Sequence, residues 1–224
     1  MDARYIRNLG AITAADCSLL RQKTVLVVGC GGLGGYLMEY LARIGIGTIR
    51  CVDGDVFDET NLNRQILATA DTLGKAKVQA AADRLRIVNP DVTVQPIRAF
   101  LDSSNAKEFV LGCDMVLDAL DNIPSRKILA DACAQASIPY VFGAISGWVA
   151  QAGISMPGDR MIHTLYPDGV EVKDKSVFPF IYLNLLPFSV TVYKFFVLKC
   201  LQEINIQGSA EGKQHHKHIA NFAV

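Results

Sequence analysis

Apolar residues fall in short runs over the first two thirds of the chain, and two kinds of run alternate. Residues 24–29, TVLVVG, are continuously apolar and open into glycines, the pattern of a strand buried on both faces of a parallel sheet. Over 33–44, Leu33, Leu37, Tyr40, Leu41 and Ile44 recur at helical spacing, and Gly45 and Gly47 close the segment. A strand over 48–52 follows and delivers Asp53 at its end. A second helical pattern covers 74–88 and stops at Asn89-Pro90, because a proline disfavours helical backbone in the residue before it. Further strands are predicted at 92–97, 115–117 and 140–142, and helices at 103–111 and 125–136. The last helix follows Pro124 and aligns Ile128, Leu129, Ala132 and Cys133 as its core stripe. This alternation predicts an α/β fold, a Rossmann-like doubly wound and mostly parallel sheet with helices on both faces.

After Gly143 the pattern changes to short strands punctuated by glycine, including 148–154. A divergent C-terminal segment follows. Residues 177–193 carry no charge, which raises a membrane span, but Pro179 and Pro187 interrupt the stretch and Lys194 ends it. Buried structure or a membrane-peripheral surface is the better reading. Residues 190–198 are rich in β-branched and aromatic side chains and favour strand over helix. The polar, glycine-containing end reads as a flexible tail over 207–224; His215, His216 and His218 fit solvated tail better than a metal site.

Charge changes the picture by exclusion. Lys+Arg and Asp+Glu both number 22, so there is no strong nucleic-acid or membrane signal. A mean hydropathy of +0.24 is high for a soluble chain, and the uncharged C-terminal stretch accounts for part of it. The six cysteines, at 17, 30, 51, 113, 133 and 200, form no CxxC pair and do not resemble the staples of a small secreted domain. The start, MDARYIRNLG, lacks the apolar stretch of a signal peptide, so a reducing, cytoplasmic setting is expected.

The sharpest short motif is Gly29-Cys30-Gly31-Gly32-Leu33-Gly34, a G-x-G-x-x-G between strand and helix. Gly29 permits the tight turn, Gly31 a close phosphate approach, and Gly34 tight packing of helix on strand. Free N–H groups at the helix start then favour phosphate oxygens. Asp53 is placed to accept the ribose hydroxyls of an adenosine. These features do not choose between NAD and ATP. Only about 80 residues follow Gly143, and they offer no obvious hydride-transfer site; there is no G-x-S-x-G elbow and no zinc quartet.

Residues 53–65, DGDVFDETNLNRQ, resemble the E1-like activating-enzyme family, in particular its bacterial ThiF, MoeB and HesA branch. The resemblance also covers Arg4-Tyr5-Ile6-Arg7, the GCGGLG loop, Gly74-Lys75-Ala76-Lys77, Asp118-Ala-Leu-Asp121-Asn122 and residues 143–148, so about the first 165 residues match in order. It implies a single adenylation domain over 1–206: an N-terminal helical segment 1–23, a nucleotide-binding core 24–144 and a substrate and dimer region 145–206. Such enzymes use ATP and Mg²⁺ to activate the C-terminal carboxylate of a small ubiquitin-like or sulfur-carrier protein ending in Gly-Gly. The resemblance also implies a homodimer and, in some pathways, a downstream sulfurtransferase.

By the same resemblance Asp53 holds the ribose, Gly29, Gly31, Gly32 and Gly34 form the phosphate loop, and Asp55 and Asn63 line the site. Asn61, Arg64 and Lys77 bind or neutralise the triphosphate, with Gln65 helping to position it. Asp121 is the Mg²⁺-associated carboxylate, and Asn122 shapes its loop. Arg7 enters the neighbouring site across the dimer interface. Arg7, Arg64, Lys77 and Asp121 are the catalytic set, Arg126 is a weaker candidate for the adjoining surface, and Tyr5 anchors the N-terminal segment. The chain departs from the family where relatives carry zinc on two CxxC pairs, so no zinc is expected. No cysteine lies between Cys133 and Cys200, so no thiol-transfer step is expected either. The alternatives are a tRNA-modifying dehydratase of the same family, a catalytically impaired dimeric scaffold, and, on the glycine loop alone, an NAD-dependent oxidoreductase.

Overall fold

The computed structural model of the chain describes residues 2–10, 12–146, 149–168 and 218–223. Expectations for the uncharged stretch 177–193, for Trp148, Cys200, His215 and His216, and for most of the 145–206 region lie outside the described residues.

The order of elements is a 3-10 turn at Ala3–Asn8, α1 (Ala14–Leu20), β1 (Thr24–Val28), α2 (Gly32–Ile44), β2 (Thr48–Val52), α3 (Lys77–Val88), β3 (Thr93–Ile97), α4 (Ala106–Val110), β4 (Met115–Asp118), α5 (Ile123–Ala136), β5 (Tyr140–Ser146), β6 (Val149–Ser155), α6 (Met161–Leu165) and β7 (His218–Ala223). Two short 3-10 turns, Glu59–Asn61 and Ala70–Thr72, lie in the crossover from β2 to α3. The seven strands form one sheet in the order β3-β2-β1-β4-β5-β6-β7. The pairs from β3 through β5 are parallel, and β6 and β7 add antiparallel. The mostly parallel, doubly wound fold is therefore present. Residues 218–223, within the stretch read from the sequence as a flexible tail, pair antiparallel with β6.

Period-two alternation explains the two cores. On β1, Val25 and Val27 face one side with Leu37, Leu41 and Leu85, while Leu26 and Val28 face the other with Phe109, Leu129 and Tyr140. These four residues of β1 are fully buried, each contributing about 1.5–3 kcal/mol of burial. The helices start later than periodicity predicts at two places. The segment predicted over 74–88 begins at Lys77, because Gly74 sits at φ +77° in a turn. The helix predicted over 103–111 begins at Ala106, because Asp102 Oδ1 accepts from the amides of Ser104 and Asn105 and forms a side-chain turn first. Among the described residues, no helix is long and apolar enough to cross a membrane.

Candidate functional site

The strand order reverses between β1 and β4, so the loops leaving their C-terminal ends splay apart and open a crevice there. The glycine loop leaves β1 on one side and residues 119–122 leave β4 on the other. Gly29 adopts φ +96°, and a Cβ there would meet the Ala119 carbonyl oxygen at 2.6 Å. A Cβ on Gly34 would stand 1.7 Å from the Gly29 carbonyl oxygen. These two glycines are required by steric contact, in agreement with the roles read from the sequence. Gly31 is the N-cap of α2 and has no side-chain cap, leaving the first-turn amides after it, including that of Gly32, open to an anion.

Asp53 braces this loop from β2. Its Oδ2 accepts from the Cys30 amide at 2.7 Å and its Oδ1 from the Asp55 amide at 2.8 Å. The carboxylate thus fixes the glycine turn while keeping lone pairs for a further donor. Beneath the loop the Cys30 thiol is pushed well above its ordinary pKa, first by a hydrogen bond with Cys51, then by burial and by Asp53; the Lys77 charge opposes these. Cys30 is a neutral thiol, not a nucleophile.

The crossover after β2 supplies the polar and cationic groups. Asn61 is buried, accepts from the Asp58 amide at 3.2 Å and donates to Thr60. Arg64 Nη1 donates to the Thr60 carbonyl at 2.8 Å and to Asn63 Oδ1 at 3.0 Å. Gln65 is 7% exposed, its amide lies 3.5 Å from where a Cβ on Gly31 would stand, and its Oε1 has no hydrogen-bond partner among the described residues. Lys77, also 7% exposed, points its ammonium at Asp55 Oδ2, 3.3 Å away. Lys77 and Arg64 act with the Thr60 hydroxyl, which has the larger effect, to hold the Asp58 carboxyl below the usual range. An uncapped helix start, an orphaned amide oxygen, a buried ammonium and a guanidinium on one crossover fit a polyphosphate and its sugar.

Asp121 is exposed, and Asn122 touches it at 3.4 Å while capping α5 through the Ser125 amide at 2.9 Å. Arg126 is not at the adjoining surface, where the sequence places it. It is 4% exposed and pairs at 3.0 Å with Asp118, which is wholly buried. Tyr140 donates its hydroxyl to the same Asp118 oxygen. Burial pushes the Asp118 carboxyl up from its ordinary pKa, opposed by the Arg126 charge and the Tyr140 hydroxyl. Asp118 and Tyr140 were missed as site-shaping residues. An acidic residue ending the apolar run 115–117 was the available signal for Asp118; Tyr140 carried none.

Arg7 is not brought to this crevice within one chain. The neighbouring Tyr5 packs against Gly45 at the far end of α2, about 20 Å of helix from the glycine loop. Its hydroxyl accepts from Asn89 Nδ2 at 2.7 Å, so Tyr5 does anchor the N-terminal segment. Arg7 is exposed and, among the described residues, has no ion-pair partner. His163 is held by Asp131 of α5 at 2.7 Å, away from the crevice loops. Among the described residues, no three His, Cys, Asp or Glu side chains converge as metal ligands.

The sequence model of the ThiF family matches residues 4–203. The SAMP-activating enzyme E1 of Haloferax volcanii is 42% identical over 152 residues, covering 68% of this chain and 56% of that protein. The molybdopterin-synthase adenylyltransferase of Escherichia coli is 37% identical over 150 residues, 67% of this chain and 57% of that one. The chain thus spans little more than half the length of these curated relatives. Among solved structures, the E. coli tRNA N6-threonylcarbamoyladenosine dehydratase TcdA in complex with ATP superposes with a TM-score of 0.72 at 25% identity, covering 93% of this chain and 96% of that one. E. coli MccB superposes with a TM-score of 0.75 at 22% identity, which bears on the fold alone.

Proposed function

The chain belongs to the ThiF family, and from that premise we propose that it is an ATP-dependent adenylyltransferase acting on the C-terminal carboxylate of a small ubiquitin-like or sulfur-carrier protein. The observation that carries the reading is the Asp53 carboxylate, which accepts from the Cys30 amide of the glycine loop, just before the uncapped start of α2, and from the amide of Asp55, the residue whose carboxylate lies 3.3 Å from the Lys77 ammonium.

Joining an anionic carboxylate to an anionic α-phosphate is limited by charge and alignment, since the carboxylate is already ionised near neutral pH and needs no general base. Asp53 takes the ribose hydroxyls with its remaining lone pairs. The amides after Gly31 take phosphate oxygens, and Arg64 and Lys77 neutralise the triphosphate, with Asn61, Asn63 and Gln65 fixing its course. Lys77 exchanges Asp55 for phosphate as its partner. Asp121, on the loop shaped by Asn122, would hold Mg²⁺, which would supply positive charge to offset that developing on the phosphates. The carboxylate oxygen then bonds to the α-phosphorus as the bond to the bridging β-phosphate oxygen breaks, giving an acyl-adenylate and pyrophosphate. Arg7 contributes from a second copy in a homodimer, since its own anchor lies at the other end of α2.

A second reading, a dehydratase acting on a carboxylate-bearing tRNA base, is favoured by the near end-to-end match to TcdA. ATP–pyrophosphate exchange measured with candidate carriers ending in Gly-Gly, and separately with tRNA, tests both. Carrier-dependent exchange, reduced in Arg64→Ala, is expected; stimulation by tRNA alone would replace the first reading with the second. Exchange with neither would reject both in favour of a non-catalytic scaffold.

A further inference from the structure

Asp121 is exposed and sits on a short loop, yet a carboxylate that holds a metal must keep one direction. The loop's backbone shows how that direction is kept. Leu120, the residue before Asp121, has both of its peptide groups pinned from below. Its amide donates to Asp118 Oδ1 at 2.8 Å, and its carbonyl accepts from Arg126 Nη2. That carbonyl belongs to the peptide plane leading into Asp121, so holding it orients the Asp121 Cα and the side chain it carries.

The same Arg126 nitrogen also donates to the Gly143 carbonyl at 2.8 Å. One guanidinium thus ties the loop after β4 to the middle of β5, at the residue that pairs with Ala152 of β6. Arg126 is itself held by Asp118 Oδ2 at 3.0 Å, and Tyr140 donates to that same oxygen. Arg126 and Asp118 are nearly or wholly excluded from water, so each depends on the others for its polar partners. Above them Ala119 is fixed in turn, its amide donating to the Val28 carbonyl at 2.9 Å and its carbonyl lying against Gly29.

We propose that Tyr140, Asp118 and Arg126 form a positioning cluster that aims Asp121 at the metal by fixing the Leu120–Asp121 peptide, and that keeps this aim in step with the β5–β6 hairpin. The proposal rests on the reading of Asp121 as the Mg²⁺-associated carboxylate. All three are buried beneath the loop and act through Asp121. Tyr140→Phe removes one hydroxyl and keeps the ring, so the core is preserved. Arg126→Lys keeps a positive charge beside Asp118, but a single ammonium cannot span Asp118, Leu120 and Gly143 together.

The test is calorimetric titration of ATP into the full chain, wild type and both variants, with Mg²⁺ and with EDTA. It is paired with Mn²⁺ binding to the ATP-loaded protein followed by electron paramagnetic resonance, and with thermal melts. Loss of a group that orients a metal ligand typically weakens metal affinity about 10–100-fold. The expected result is a loss of about tenfold in Mn²⁺ affinity and in the Mg²⁺-dependent gain in ATP affinity, with ATP binding in EDTA unchanged. Equal weakening with and without metal would show a merely structural role and overturn the proposal, as would no change in either variant. A wild type that binds ATP equally well in Mg²⁺ and EDTA would instead remove the metal reading of Asp121, and the proposal with it.

Discussion

The two walls of the crevice are built by different means. On the β1–β2 side the loop is shaped by backbone: Gly29 and Gly34 allow contacts no side chain would permit, and Asp53 grips two amides. On the β4–β5 side it is shaped by side chains, an Asp118–Arg126–Tyr140 cluster with almost no access to water. The first wall depends on the absence of atoms and the second on the presence of partners. One fails by collision, the other by leaving charge unpaired.

Breaking the second wall has the larger expected effect. Arg126→Met leaves the buried Asp118 without its cation, and removing one member of a buried ion pair costs about 3–5 kcal/mol. Urea unfolding should show that loss, and the double variant Asp118→Asn with Arg126→Met should recover part of it. Gly34→Ala tests the first wall. Its Cβ must displace the Gly29 carbonyl, an overpacking cost of about 1–3 kcal/mol. Because the displaced group is the phosphate loop, ATP affinity should fall together with stability, a pairing that urea unfolding and calorimetry check on the same sample.

A smaller effect sharpens the comparison away from the site. Glu39 joins α2 to α3 through Arg84 Nη2 at 2.9 Å and accepts from Arg43 Nη2 at 2.6 Å. Hydrogen bonding by Arg84, with Arg43 contributing less and burial opposing, holds the Glu39 carboxyl below its ordinary pKa. A lowered folded pKa stabilises the protein above the unfolded value, about 4.3, and that stabilisation is lost as pH falls through the folded value. The Tm difference between wild type and Glu39→Gln should therefore be largest at neutral pH and shrink below about pH 4. A difference independent of pH would contradict the assignment.

The same contrast explains what could be read from the sequence. Gly29 and Gly34 were legible because their residue type itself encodes a steric requirement, and Asp53 because a strand end delivers it. Lys77 could be named, but its 3.3 Å approach to Asp55 spans 22 positions and no local pattern encodes it. Tyr140 opens a strand like any core aromatic, and only the parallel pairing of Val116 with Tyr140 brings its hydroxyl toward the end of β4. Arg126 reads as helix surface because charge on a helix is usually solvated; its burial follows from Asp118, eight residues earlier. The delayed starts of α3 and α4 come from side-chain and glycine turns that periodicity does not register.

The most direct measurement is calorimetric titration of ATP into the folded wild-type chain in Mg²⁺, beside Lys77→Met. Saturable binding in the wild type, with a large loss of affinity in the variant as its buried ammonium is removed, is the expected result. A folded wild type that takes up no ATP, or a variant that binds it just as tightly, would contradict the placement of the triphosphate between the α2 N-terminus and Lys77.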